Sequence, residues 1–152
     1  RFQTIGEANG VRVVDDFAHN PAKIRASLDT AHLQERKRIL AVFQPHGYGP
    51  TRFLRAELVD AFAGSLRPED RLWFLDIFYA GGTARRDISS ADLVAEIAAR
   101  GVSAERAAGR EDLTATLAAI AEPGDLILVM GARDPSLTEL CREILRRLTS
   151  QP

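Results

Sequence analysis

Val11-Arg12-Val13-Val14-Asp15-Asp16-Phe17-Ala18-His19-Asn20-Pro21 decides the fold, because here an extended apolar run ends on two aspartates and a helix begins at once. Upstream, Phe2 to Ala8 and Val11 to Asp15 flank Asn9-Gly10, a dipeptide that accepts positive φ. That arrangement predicts an opening β-hairpin. Downstream, Asn20 can cap a helix, Pro21 suits its first position, and Ile24, Leu28 and Ala31 fall on one face.

The same grammar repeats along the chain. Arg38 to Phe43 reads as a buried strand, and Thr51 to Leu66 as one helix with Leu54, Leu58, Ala61 and Phe62 on a shared face. Leu72 to Leu75 is a further strand, followed by a loop through Ala80-Gly81-Gly82-Thr83. Ser89 to Ala99 then opens with a Ser-x-x-Asp capping pattern. Ser103 to Ala107 is a weak strand, Glu111 to Ala121 a helix, Asp125 to Met130 a strand and Pro135 to Leu148 an amphipathic helix. Strands alternating with helices, with nearly continuous apolar runs in the strands, imply an α/β fold. The expectation is a Rossmann-like, three-layer domain with a mostly parallel sheet and the N-terminal hairpin.

The composition fits one domain over residues 1–152, with 45% hydrophobic and 27% charged residues. A formal net charge of -1 argues against a surface built to neutralise nucleic-acid phosphates. Ile39 to Phe43 and Leu126 to Met130 are far shorter than the ~20 residues that cross a bilayer. The chain is therefore read as soluble and cytoplasmic, without a membrane partner. It opens at Arg1 without a methionine, which suggests a piece of a longer polypeptide. Cys141 sits among Leu137, Leu140, Ile144 and Leu145 at helical spacing and is read as a core residue.

Right-handed crossovers place every strand-to-helix loop at one edge of the sheet, where ligands of such folds bind. Those loops are Asp15 to Pro21, Gln44 to Thr51, Asp76 to Thr83 and Gly131 to Pro135. Carboxylates, imidazoles, arginine and flexible backbone meeting there suit a phosphate- or nucleotide-handling cleft. Each residue also has a plainer reading. Asp15 and Asp16 can blunt a strand or cap a helix, His19 can be a turn residue, His46 a loop residue, and Arg133 can simply pair with Asp134. His32 reads as surface, and Arg85-Arg86-Asp87 as a solvated loop face.

Metal binding by a His/Cys cluster has no support: the His are scattered, there is a single Cys, and no zinc spacing occurs. No Gly-x-Ser-x-Gly elbow is present. No Gly-x-x-x-x-Gly-Lys-Ser/Thr loop is present either, so a nucleotide triphosphate would need a cradle supplied by another domain.

At Asp15-Asp16-Phe17-Ala18-His19-Asn20-Pro21 and Phe43-Gln44-Pro45-His46-x-Tyr48 the sequence resembles the C-terminal domain of the Mur ligase family, nearest its alanine-adding branch. The similarity runs from the opening Arg1-Phe2 to about Leu148. It implies a three-domain, ATP- and Mg²⁺-dependent enzyme in which the central ATPase domain holds most of both cofactors and this domain closes over the cleft. The implied reaction joins L-alanine, or a related amino acid or peptide, to UDP-N-acetylmuramate through an acyl phosphate in peptidoglycan precursor synthesis; a fragment alone would be inactive. By the same resemblance Arg1 faces the terminal phosphate, Asp16 lies on the ribose side of the nucleotide, and His19 lies near the amino acid. Asn20, His46, Tyr48, Arg52 and Arg133 are the implied substrate contacts.

The chain also departs from the pattern. Asn20 replaces a second His, and Phe17 lacks the hydroxyl of the common Tyr. Gly47 and Pro50 occupy positions where the family has arginines linked to the amino-acid carboxylate. Arg52 can substitute only if the loop takes another path, and Arg133, in place of a Gly, is a second source of positive charge. Two other readings stand beside this one. In a receiver-like signalling module Asp15, Asp16 and Asp76 would hold Mg²⁺ and accept phosphate, although Gly131-Ala132-Arg133 stands where such a domain needs a Lys. The other is a non-catalytic adaptor derived from a ligase.

Overall fold

The computed structural model describes residues 1–79, 81–82, 85–132 and 134–151. The predicted hairpin forms from β1 (Gln3–Ala8) and β2 (Val11–Asp16), paired antiparallel. Asn9 (φ 51°) and Gly10 (φ 77°) make the turn in the left-handed region that Asn and Gly tolerate best. After β2 come α1 (Pro21–His32), β3 (Arg38–Gln44), α2 (Tyr48–Phe53), α3 (Arg55–Ser65) and β4 (Arg71–Phe74). The chain then runs through α4 (Ser90–Ala99), β5 (Ser103–Arg106), α5 (Arg110–Ile120), β6 (Asp125–Gly131) and α6 (Pro135–Thr149). The weak strand signal at Ser103 is a genuine edge strand, paired parallel with β4.

The six strands lie in the order β1-β2-β6-β3-β4-β5, and all but β1 are parallel. Both faces of this sheet are covered, which is why its strands read as unbroken apolar runs. Along β3, Ile39, Ala41 and Phe43 face a core shared with Ile24 and Leu28 of α1, Phe62 of α3 and Leu93 of α4. Leu40 and Val42 face the opposite core, with Leu113 and Leu117 of α5 and Leu137, Cys141 and Ile144 of α6. In the first core Phe43, Phe62 and Phe74 pack with ring centroids 5.2 to 5.3 Å apart. Each such pair adds roughly 0.5–1.5 kcal/mol beyond its buried area.

Two expectations change. The single helix predicted from Thr51 is two helices, starting at Tyr48 and interrupted at Leu54 (φ −98°, ψ 9°). Gly47, at φ 84°, turns the chain before Tyr48. Pro50 is accommodated inside the first turn, where backbone N–H groups have no intrahelical partner to lose. His32 is not a surface residue: its side chain is 10% exposed, and Nε2 lies 2.7 Å from Oδ2 of buried Asp70. Asp70 also accepts from the Ile39 and Arg67 backbone nitrogens, so it fastens the end of α1 to the start of β3. Part of the loop expected through Ala80 and Thr83 lies outside the described residues.

Candidate functional site

The register aligns the ends of the parallel strands: Met130 of β6 stands opposite Asp16 of β2 and Phe43 of β3. The helix after β6 packs on one face of the sheet, whereas those after β2 and β3 pack on the other. β6 is therefore flanked on both sides by strands whose chains leave in the opposite direction. Such a switch point opens a crevice beyond the strand ends. The crevice holds a cavity of about 230 Å³ bordered by His19 and Asn20 after β2, Pro45, His46 and Thr51 after β3, and Ala132 after β6.

Local geometry fixes each of these groups. Asn20 caps α1, its side-chain oxygen accepting from the Lys23 backbone nitrogen at 2.9 Å. His19 Nδ1 is 2.8 Å from the Phe17 carbonyl oxygen. A carbonyl can only accept, so Nδ1 carries the hydrogen and Nε2 of the neutral ring is an acceptor. His46 stacks on Phe78 with centroids 4.9 Å apart, and the loops after β3 and β4 are joined there by Gly47 N to Phe78 O (2.9 Å) and Phe78 N to Pro45 O (2.8 Å). The Thr51 hydroxyl donates to the Gly47 carbonyl at 2.6 Å. Phe43, Leu54 and Leu58 close the cavity from below.

The other expected residues lie elsewhere. Asp16 is buried; its Oδ1 accepts from the Arg1 backbone nitrogen (2.9 Å) and Ala18 N (3.1 Å), and its Oδ2 from the Ser27 hydroxyl (2.8 Å). Arg1 and Asp16 border a separate cleft beside α1, with Lys23 and Thr30. The Arg1 side chain is exposed. Arg52 does not reach the cavity: its guanidinium binds Asp87 (2.9 Å) and the Arg85 carbonyl (2.7 Å), and this contact holds the Asp87 carboxyl below its ordinary range. Tyr48 packs against the core and meets Tyr79 edge-on. Arg133 lies outside the described residues.

Asp15 and Asp16 diverge, as adjacent strand residues must. Asp15 accepts from Thr138 of α6 at 2.6 Å on the far face, and Asp76 is taken by Arg106 at 2.7 and 2.9 Å. The three aspartates of the receiver-like reading therefore have separate partners. Among the described residues no group of three or more His, Cys, Asp or Glu side chains is placed to hold a metal ion.

Residues 1–133 match the family described as Mur ligase, glutamate ligase domain. The chain belongs to the Mur ligase family. It is 38% identical over 152 residues to the UDP-N-acetylmuramate–L-alanine ligase of Koribacter versatilis, covering 99% of this chain and 31% of that protein. To the enzyme of the same description from Agrobacterium fabrum it is 40% identical over 133 residues, 87% of this chain and 27% of that one. The crystal structure of UDP-N-acetylmuramate-alanine ligase from Thermotoga maritima superimposes with a TM-score of 0.72 at 21% identity, over 99% of this chain and 30% of that one, which speaks to the fold. This Mur ligase domain thus spans under a third of the length of these relatives.

In the Mur ligase domain, a polar network behind the cavity carries residues that the sequence did not single out. Arg110, the first residue of α5, donates to Gln44 Oε1 at the end of β3 (2.8 Å) and to the Ser136 hydroxyl of α6 (2.9 Å). Asp134 caps α6 and is held below the ordinary carboxylate range by the Ser136 backbone N–H and hydroxyl, with Arg110 and His46 adding positive charge nearby. In the sequence Asp134 was read only as a loop residue that could pair with Arg133, not as the cap of α6. Nothing local marked Arg110, because its partners lie 26 and 66 residues away.

Among the described residues no helix is long and apolar enough to cross a membrane.

Proposed function

We propose that this chain, residues 1–152, is the C-terminal domain of a cytoplasmic three-domain amide ligase. In this reading the enzyme joins an amino acid or peptide, L-alanine in the simplest case, to UDP-N-acetylmuramate in peptidoglycan precursor synthesis. One observation carries it: in a chain of this family, His19 and His46 meet across one cavity at the switch point of the sheet. ATP and Mg²⁺, held mainly by the parent's central domain, would supply the phosphoryl group that activates a carboxylate as an acyl phosphate. The described residues form no cluster of three or more His, Cys, Asp or Glu side chains that could hold the ion.

What this domain contributes is the amine. The cavity positions a primary amine against the acyl carbon; the new C–N bond forms as the C–O bond to phosphate breaks, and phosphate leaves. The nitrogen sheds a proton in that step, and His19 Nε2 is an acceptor fixed by the Phe17 carbonyl on the other side of the ring. Asn20 and His46 border the same space and contact the amine substrate. Asp16 fixes the turn that carries His19 and, with Arg1, faces the nucleotide across the second cleft. Arg133 adds positive charge near the loop after β6. Tyr48 and Arg52 act from behind, by holding the loop after β3.

Without a phosphate cradle the chain alone should release no ADP from ATP above background, whereas the full-length parent should do so in a manner dependent on both the sugar nucleotide and an amine. Robust ADP release by the 152-residue chain would defeat this reading.

A further inference from the structure

Arg110 joins segments of chain that backbone pairing alone leaves separate. It is the first residue of α5, on the face of the sheet that α5 shares with α6. Its Nη2 donates to Gln44 Oε1 at the end of β3 (2.8 Å), and its Nη1 donates to the hydroxyl and the carbonyl of Ser136 in α6 (2.9 and 3.2 Å). The guanidinium also stands 3.9 Å from Asp134 Oδ2. Gln44 carries the link further, its Nε2 donating to the Asp76 carbonyl after β4 at 3.4 Å. One side chain after β5 thereby connects the segments that follow β3, β4 and β6.

The directions of these hydrogen bonds agree with one another. Ser136 gives its hydroxyl hydrogen to Asp134 Oδ2 (2.8 Å), so Arg110 meets a lone pair. Gln44 turns its oxygen to the guanidinium and its amide nitrogen to Asp76. A rigid, planar fork of donors holds two acceptors on different segments at fixed angles, which a lysine ammonium does not. With its side chain 35% exposed, Arg110 gains little from its charge near Asp134 alone. Its weight lies in geometry.

The segments that it joins supply part of the cavity wall. Gln44 leads directly into Pro45 and His46, and Asp134 follows Ala132 by two residues; Pro45, His46 and Ala132 all border the cavity. Gln44 is paired with Gly131, where a Cβ would come within 3.3 Å of the Gln44 carbonyl oxygen and 2.6 Å of Leu137, so the ends of β3 and β6 meet without slack. The Asp134 carboxylate also lies close enough to His46 for their charges to interact. The other polar groups of the cavity are fastened independently of Arg110: His19 by the Phe17 carbonyl, Asn20 by Lys23 N and Thr51 by the Gly47 carbonyl.

We infer that Arg110 is a positioning residue of the candidate site. Acting through Gln44, Ser136 and Asp134, it sets how the loops after β3 and β6 stand to one another, and so where His46 and Ala132 lie relative to His19. Arg110 does not itself border the cavity and touches no reacting atom. This rests on the ligase reading of the cavity and adds to it a residue that holds the wall from behind.

Steady-state kinetics of the full-length ligase, with the better amine of L-alanine and L-alanyl-glycine, test this together with amide NMR spectra of the 152-residue chain. Because displacing reacting groups by about 1 Å costs on the order of 10²-fold, Arg110→Ala should raise the amine KM about tenfold or more and leave the KM for ATP near that of the parent. Gln44→Ala should act in the same direction, and adding Arg110→Ala to it should cost less than about threefold more, since the link is already cut. In the spectra, the resonances of His46 and Ala132 should shift in Arg110→Ala while those of His19 and Asn20 stay in place. Unmoved His46 and Ala132 resonances overturn the inference and leave the ligase reading standing. A fall in kcat with both KM values unchanged is the mark of lost folded enzyme, and it too overturns the inference. Shifted resonances with kcat and the amine KM both unchanged show that the cavity is not the amine site, and both readings fall.

Discussion

His19 Nδ1 lies 2.8 Å from the carbonyl oxygen of Phe17, two residues earlier in the same turn. The contact fixes both the ring's orientation and its tautomer. In ¹⁵N-edited spectra of the neutral ring, the hydrogen should therefore reside on Nδ1. A ring protonated at Nε2 instead would remove His19 as the proton acceptor assigned to it.

Asp16 is bound more tightly than a free ligand group would be. It accepts from Arg1 N, Ala18 N and the Ser27 hydroxyl while buried, so Asp16→Ala should strand the two buried donors, Ala18 N and Ser27 Oγ. At about 1–3 kcal/mol for each buried group left unsatisfied, a loss of about 2–6 kcal/mol is expected in urea unfolding. Asp16→Asn, which keeps one acceptor oxygen, should recover part of that. A variant as stable as the original would show that these contacts carry no weight.

The α6 cap is pH-dependent. Asp134 accepts from Ser136 N at 2.9 Å and its carboxyl titrates below the ordinary value of 3.8. A carboxyl lowered in the folded state contributes stability that is fully present above its unfolded value and is lost as pH falls through its folded value. Asp134→Ala should thus cost about 1 kcal/mol at neutral pH, and the gap in Tm should close in strong acid. A gap independent of pH would contradict the assignment.

Cys141 is buried in the core beneath α6, and burial pushes its thiol well above the ordinary range. Thiol reagents at pH 8 should leave it untouched in the folded chain and label it fully in denaturant. Rapid labelling of the native chain would place it outside the core.

Much of the fold was legible because the signals were local. Asn9-Gly10, Asn20-Pro21 and the Ser89 capping box each set an element boundary from a few residues, and the structure keeps all three. Where a boundary depended on tertiary position, the sequence misled. The helix expected from Thr51 starts at Tyr48, with Pro50 inside its first turn, because Gly47 has already turned the chain. His32 looked like surface because Asp70 is 38 residues away. The candidate site was half legible. His19, Asn20 and His46 follow strand ends whose alignment parallel pairing guarantees, so the fold class alone brings them together. Arg52 could not be placed from sequence, since its direction is set by Asp87 across a separate loop, and Arg110 enters from the other face of the sheet.

The most direct test of the account is the steady-state kinetics of the full-length ligase carrying His19→Ala. A positioned proton acceptor contributes on the order of 10²–10⁴ in rate, so kcat/KM for the amine substrate should fall at least a hundredfold while KM for ATP stays near that of the parent. Wild-type kcat/KM for the amine would contradict the central claim that the loops after β2, β3 and β6 together form the amine site.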